Sequence, residues 1–214
     1  MKRKIGKLLI AVGMAMILCA AGLLVSNEQQ DVDAGRAAQN VLPELMAQIE
    51  QRHEALVEGT VPTVEVIPGT PLELMDPALF EMTEVEIDGY GYVGYLSIPE
   101  LELELPIMAQ WDYDRLKIAP CRYSGSVLGE DLVLMAHNYN RHFGTLKELS
   151  AGDTVIFMDM DGNVTRYRVV TLDILAPDAV EEMTAGIYDL TLFTCTYGGQ
   201  SRVTVYCDKE SNIE

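Results

Sequence analysis

Leu190-Thr191-Leu192-Phe193-Thr194-Cys195, followed seven residues later by Arg202, is the stretch on which the fold and chemistry of this chain turn. It reads as an apolar β-strand closing on a cysteine, a short glycine-containing turn over residues 196–201, and a second strand opening on an arginine. Two strands joined in this way put a thiol and a guanidinium side by side at one rim of a sheet. A thiolate is a nucleophile, and a fixed cation beside it both lowers the thiol pKa and stabilises an oxyanion. His137 ends another apolar run, Asp131-Leu132-Val133-Leu134-Met135-Ala136-His137, and is placed to supply the proton carrier of an acyl-transfer site.

Working outward, the chain from about Val85 has the texture of short strands. Tyr92 to Ile98 stops at Pro99, and Leu101, Leu103 and Leu105 alternate with Glu102 and Glu104, the pattern of a half-buried strand. Residues 154–158 and 165–170 flank an Asp161-Gly162 hairpin turn. Residues 171–175, 190–194 and 203–206 bring the total to about eight strands, with one or two helical turns over 143–149. Strands at this spacing with few helices predict an all-β, closed or nearly closed barrel.

The N-terminus is of another kind. Lys2, Arg3, Lys4 and Lys7 precede a twenty-residue run, Leu8 to Asn27, that carries no charge. A helix of that length spans roughly 30 Å, enough to cross a bilayer, and the basic flank places the N-terminus on the cytoplasmic side. A cleaved signal peptide is the alternative, but the run is long for one and shows no clear small-x-small cleavage site before the polar sequence begins. Bulky Leu18 stands where a lipoprotein signal wants a small residue before Cys19. Three segments follow: a basic segment and membrane anchor over 1–27, a helical stalk and proline-rich linker over 28–84, and a catalytic domain over 85–214. Leu45, Ile49 and Leu56 give the stalk its helical periodicity, and His53 falls on it as a solvated residue. Pro62, Pro68, Pro71 and Pro77 mark the linker, expected to hold the domain off the membrane.

Beyond the four N-terminal cations, the other 11 basic residues face all 33 acidic ones, which argues against nucleic acid and anionic lipid as partners. Of four cysteines, Cys19 lies in the anchor. The odd three that remain leave at least one thiol free, with Cys195 the natural candidate and a Cys121–Cys207 pairing open.

With these residues in view, the chain resembles the sortases, membrane-anchored cysteine transpeptidases of Gram-positive bacteria built on an eight-stranded β-barrel. Their TLxTC signature is matched by Thr191-Leu192-Phe193-Thr194-Cys195, their strand-opening arginine by Arg202, and their small-residue–His–Asn segment by Ala136-His137-Asn138. Tyr95-Leu96-Ser97-Ile98-Pro99 and Leu105-Pro106-Ile107 look like the first two strands, and Gly152-Asp153 like the turn before the middle hairpin. The resemblance covers about residues 85–208. It implies that Cys195 attacks a C-terminal sorting motif of a secreted surface protein, that His137 is the acid/base and that Arg202 holds the oxyanion. Thr194 and Asn138 are the expected substrate contacts. A cell-wall precursor or a pilin lysine then supplies the acceptor amine. Asn138 points to class B, while the compact domain leaves class D open. Asp76-Pro77-Ala78-Leu79-Phe80 only loosely matches the lid motif of pilin-building members and reads as linker.

The same residues bear other readings. His137, His142 and Cys195 lack a fourth metal ligand, and the arginine would repel a cation, so neither a metal nor a cofactor is expected. Calcium, bound by some sortases, would need Asp153, Asp159 and Asp161, which a hairpin with exposed carboxylates explains as well. A hydrolytic cysteine peptidase would share the first half of the mechanism. A membrane-tethered β-barrel binding module would leave Cys195 unreactive.

Overall fold

The computed structural model describes residues 2–59 and 81–210; the proline-rich linker and Asp76–Phe80 lie outside the described residues. One long helix, α1 (Lys2–Val57), precedes the strands. They are β1 (Val85–Ile87), β2 (Tyr90–Ile98), β3 (Leu103–Met108), β4 (Cys121–Ser124), β5 (Leu132–Ala136), β6 (Thr154–Asp159), β7 (Val164–Leu175), β8 (Leu190–Cys195) and β9 (Arg202–Lys209). A single helical turn, α2 (Val180–Met183), lies between β7 and β8.

Pairing runs β1-β2-β3-β4-β5-β8-β9-β7-β6, and β6 pairs back onto β2. Strands β2 to β9 therefore form a closed eight-stranded barrel, with β1 a short extra strand on the edge of β2. Closure removes the exposed edges that an open sheet would present. The β2–β6 seam begins at Gly94, at φ 146°, where any Cβ would fall 2.1 Å from the Met158 carbonyl oxygen. Only glycine permits that approach.

The strand count matches the sequence expectation, but by a different route. Residues 165–170 and 171–175, expected as two strands, are one twelve-residue strand bent by a bulge between Val169 and Thr171. Cys121–Ser124, too short to show an alternation, is a strand the sequence reading missed. Inward-facing Leu96, Ile98, Leu105, Leu132, Leu134, Phe157, Tyr167, Leu190, Leu192 and Val205 fill the barrel. Cys207 belongs to that core, whereas Cys121 lies in a second core under α1, and all four cysteines are free thiols.

The first part of α1 supplies the helix among the described residues that is long and apolar enough to cross a membrane, and its apolar window buries nothing in the protein. Its second part does not stand free as a stalk. Asp31, Ala34, Ala38, Leu42, Leu45 and Ile49 recur at helical spacing and are all at most 4% exposed. Leu42, Leu45 and Ile49 pack on Ile87, Tyr92, Met108 and Leu116, each such side chain contributing on the order of 1.5–3 kcal/mol. Further along, Arg52 pairs with Asp161, and the His53 ring meets the Asp161 carbonyl oxygen at 3.1 Å. The helix thus lies along the outside of the barrel.

Candidate active site

Strand β8 runs between β5, parallel to it, and β9, antiparallel to it. Leu190, Leu192 and Thr194 point into the barrel, so Thr191, Phe193 and Cys195 point out. Cys195 lies directly opposite Arg202, and Thr194 is the partner of Ala136. The chain leaves β5 one residue later at His137, level with Cys195 on the neighbouring strand. Interior Val203 and Val205 set Arg202 outward, and interior Leu134 and Ala136 set His137 outward. Three strand ends therefore bring His137, Cys195 and Arg202 to one rim on the outer face, with strands about 4.8 Å apart.

Each residue has a distinct setting. Cys195 is half-buried, unlike Cys121 and Cys207, which are fully buried. Arg202 donates through Nη1 to the carbonyl oxygens of Gly199 and Ser201, each at 3.2 Å, and no carboxylate among the described residues pairs with it. Its charge is held in place by the turn yet left uncompensated. His137 is half-buried, with the Tyr139 ring tilted over it at a centroid distance of 4.8 Å. Burial first, and the Lys117 ammonium second, hold its pKa below the usual histidine range, so the imidazole is neutral at pH 7. Asn138 follows at the rim, half-buried, with no side-chain hydrogen bond among the described residues.

Thr194 departs from the expected substrate contact. Its side chain lies on the inner face, 3% exposed, and its Oγ1 donates to the Ala136 carbonyl at 2.8 Å. The hydroxyl pins β8 to β5 instead of facing a ligand. His142, the other histidine considered with His137 and Cys195 as a metal ligand, is fully buried beside the Ala34 backbone of α1. The hairpin carboxylates are spent on the fold: Asp159 caps the turn through Asp161 and Asn163, Asp161 receives Arg52 and Thr83, and Asp153 receives the Ser150 N–H.

Two features escaped the sequence reading. Tyr139 carries only one signal, its place two residues after His137. The second is an aromatic column on the outer face, with Trp111 stacked on Tyr123 at 5.6 Å and Tyr123 edge-on to Phe193 at 5.4 Å. Trp111 is the one tryptophan of the chain, and a partly exposed tryptophan in a loop is a signal in itself.

His142 makes a prediction about stability. Burial is the main cause that pushes its pKa down to about 4, partly offset by the Ala34 backbone. An unfolded histidine near 6.5 binds the proton more tightly, so stability is full above about pH 6.5 and falls as the pH drops towards 4, by up to about 3 kcal/mol. Denaturant unfolding between pH 7.5 and 4.5 should show this decline, and His142→Leu should flatten it. Equal pH slopes for the two proteins would rule out His142 as the source.

A family model described as the sortase domain matches residues 96–210. Sortase A of Bacillus anthracis is 28% identical over 125 residues, 56% of this chain and 59% of the relative, so the match spans less than two thirds of that protein. Among solved structures, sortase C of Streptococcus pneumoniae superposes with a TM-score of 0.53 at 21% identity, covering 82% of this chain and 97% of the other. A sortase D5 of Clostridium perfringens gives 0.56 at 14% identity, covering 84% and 99%. Sortase C1 of Streptococcus agalactiae gives 0.52 at 26% identity, covering 59% and 72%. The first two speak for the fold alone, and with C and D members both among the neighbours the class stays open. The domain match takes in more than half the chain and contains the whole strand-end rim: the chain belongs to the sortase family of cysteine transpeptidases.

Proposed function

We propose that this chain cleaves a C-terminal sorting motif of secreted surface proteins through a thioacyl-enzyme and passes the acyl group to an amine. The observation that carries this reading is the register that sets Cys195 opposite Arg202 and His137 beside them on one outer rim. A neutral His137 must take its proton from the reaction itself. It accepts the Cys195 thiol proton as sulfur attacks the scissile carbonyl, and the oxyanion forms against Arg202. The C–N bond then breaks and His137 returns the proton to the leaving amine. In the second half an amine attacks the thioester and gives its proton to His137. The C–S bond breaks, and that proton restores the thiol.

Clostridium perfringens sortase C is known with a C-terminal cell wall sorting motif, and Streptococcus pneumoniae sortase C has pilin substrate specificity. Either acceptor, a cell-wall precursor amine or a pilin lysine, suits the chemistry here. The basic N-terminal flank puts that end in the cytoplasm and the barrel outside, in a single-pass protein.

The test is incubation of the full chain in detergent with candidate sorting peptides and amines, followed by mass spectrometry. The expected products are a peptide–amine conjugate and an acyl adduct on Cys195. Hydrolysed peptide alone, in the presence of every amine, would make the protein a peptidase. No cleavage with any peptide, and no adduct, would overturn the reading altogether.

A further inference from the structure

Helix α1 leaves its uncharged run at Asn27 and meets the barrel at Asp31, about 6 Å further along its axis. What it meets there is the loop that follows His137. One carboxylate oxygen of Asp31 accepts the Arg141 backbone N–H at 3.0 Å, and the other accepts the Arg141 guanidinium at 3.1 Å. Glu28, one turn earlier, lies 3.7 Å from the same guanidinium. One turn later Gly35 lies against the arginine stem, so closely that a Cβ there would fall 2.3 Å from the Arg141 Cδ.

The next residue of the loop, His142, is fully buried beside the Ala34 backbone of α1. Tyr139 links it to the active site, with its ring 5.6 Å from that of His142 and 4.8 Å from that of His137. The loop is also closed on itself by Phe143 N–H to the His137 carbonyl at 3.3 Å and Gly144 N–H to the Tyr139 carbonyl at 2.8 Å. Three successive turns of the anchor helix therefore grip one short loop whose first residue is His137.

Asp31 is a costly way to make that contact. Its side chain is 5% exposed, and burying a carboxylate is unfavourable unless its oxygens are matched by donors. An apolar residue would fill the seam at lower cost but would not fix a backbone N–H in one orientation. The directional bond to Arg141 is what the carboxylate adds.

We propose that Asp31 is a positioning residue: through Arg141 and His142 the anchor helix holds the His137–Tyr139 pair in line with Cys195, so that acyl transfer depends on α1. This rests on the roles given above to His137 and Cys195. It also gives α1 a second task. The helix with the apolar run seats the loop after His137 within about one or two turns of the point where that run ends.

The experiment uses the full chain in detergent, with peptide and amine. Asp31→Ala should lower kcat by about 10- to 100-fold, the cost of displacing a reacting group by about 1 Å, with KM within twofold of the parent. Asp31→Asn, which keeps an acceptor for the Arg141 N–H, should recover most of that loss. Ile49→Val, on the same helix but away from the loop, should lower the melting temperature and leave kcat within twofold. A second readout does not need turnover: amide hydrogen exchange over residues 137–145 should quicken at least tenfold in Asp31→Ala and stay unchanged in Ile49→Val. Arg141→Ala, at a half-exposed position, shifts both readouts in the same direction and serves if Asp31→Ala does not fold. The proposal is overturned if Asp31→Ala keeps its kcat and its loop exchange, or if Ile49→Val loses as much as Asp31→Ala. A parent without any Cys195-dependent product would sink the proposed function, while loop exchange would still decide whether α1 holds the loop.

Discussion

Cys195→Ala should abolish both the acyl adduct and the peptide–amine product, a loss of about 10⁴-fold or more, because the proposed covalent route has no other nucleophile. The three remaining thiols do not substitute. Cys121 is fully buried, and desolvation pushes its pKa up to about 12, while Cys207, inside the barrel core, is pushed higher still by the same cause. Cys19 lies in the apolar part of α1, the part long and apolar enough to cross a membrane. A charged, membrane-impermeant alkylating reagent applied to the native full chain should therefore label one site and remove activity in proportion. Peptide mapping after labelling locates it. Labelling at Cys121 or Cys207 with Cys195 untouched, or activity in Cys195→Ala within tenfold of the parent, would contradict this assignment and favour a binding module with an incidental thiol.

The rim was legible in the sequence because β-structure converts local spacing into geometry. A strand that ends on Cys195 and a strand that begins on Arg202, joined by a short turn, must be antiparallel neighbours, so their juxtaposition follows from sequence adjacency. His137 was harder, because β5 and β8 are 53 residues apart in sequence and pair in parallel. Its place at the end of an apolar run made it a candidate, and the resemblance to a family strengthened the pairing that no local spacing gives. The side-chain face was the point of error. Thr194 and Cys195 are adjacent, so a strand must send them to opposite faces, and the buried hydroxyl follows from the same alternation that exposes the thiol. The second half of α1 was misjudged for a related reason. Ala34 and Ala38 are too small to register as an apolar stripe, yet small residues let a helix lie close against a barrel, and the docking of α1 was hidden in them. The Asp31–Arg141 contact spans 110 residues, which no local pattern reports.

Arg202→Ala should lower kcat/KM by about 10²- to 10³-fold, equivalent to about 2.7–4 kcal/mol of transition-state stabilisation. The size follows from how the guanidinium is held. A surface arginine paired with a carboxylate would have its charge largely neutralised, and its removal would cost little. Here Nη1 is tied to two neutral carbonyl oxygens of the turn, Gly199 and Ser201, which orient the group without cancelling it. The cation stands opposite the thiol in a fixed place before charge develops, so on the proposed mechanism the transition state would gain the interaction without reorganisation. Arg202→Lys separates orientation from charge: a single ammonium keeps the charge but cannot bond two turn carbonyls and an oxyanion in one plane, so it should recover only part of the loss. If the role were to bind substrate alone, KM would rise and kcat would hold. If it were merely to brace the 196–201 turn, Arg202→Lys and Arg202→Ala would lower the melting temperature alike and leave turnover within twofold. A fall in kcat larger than any rise in KM, partly restored by lysine, is the outcome that places the guanidinium on the oxyanion.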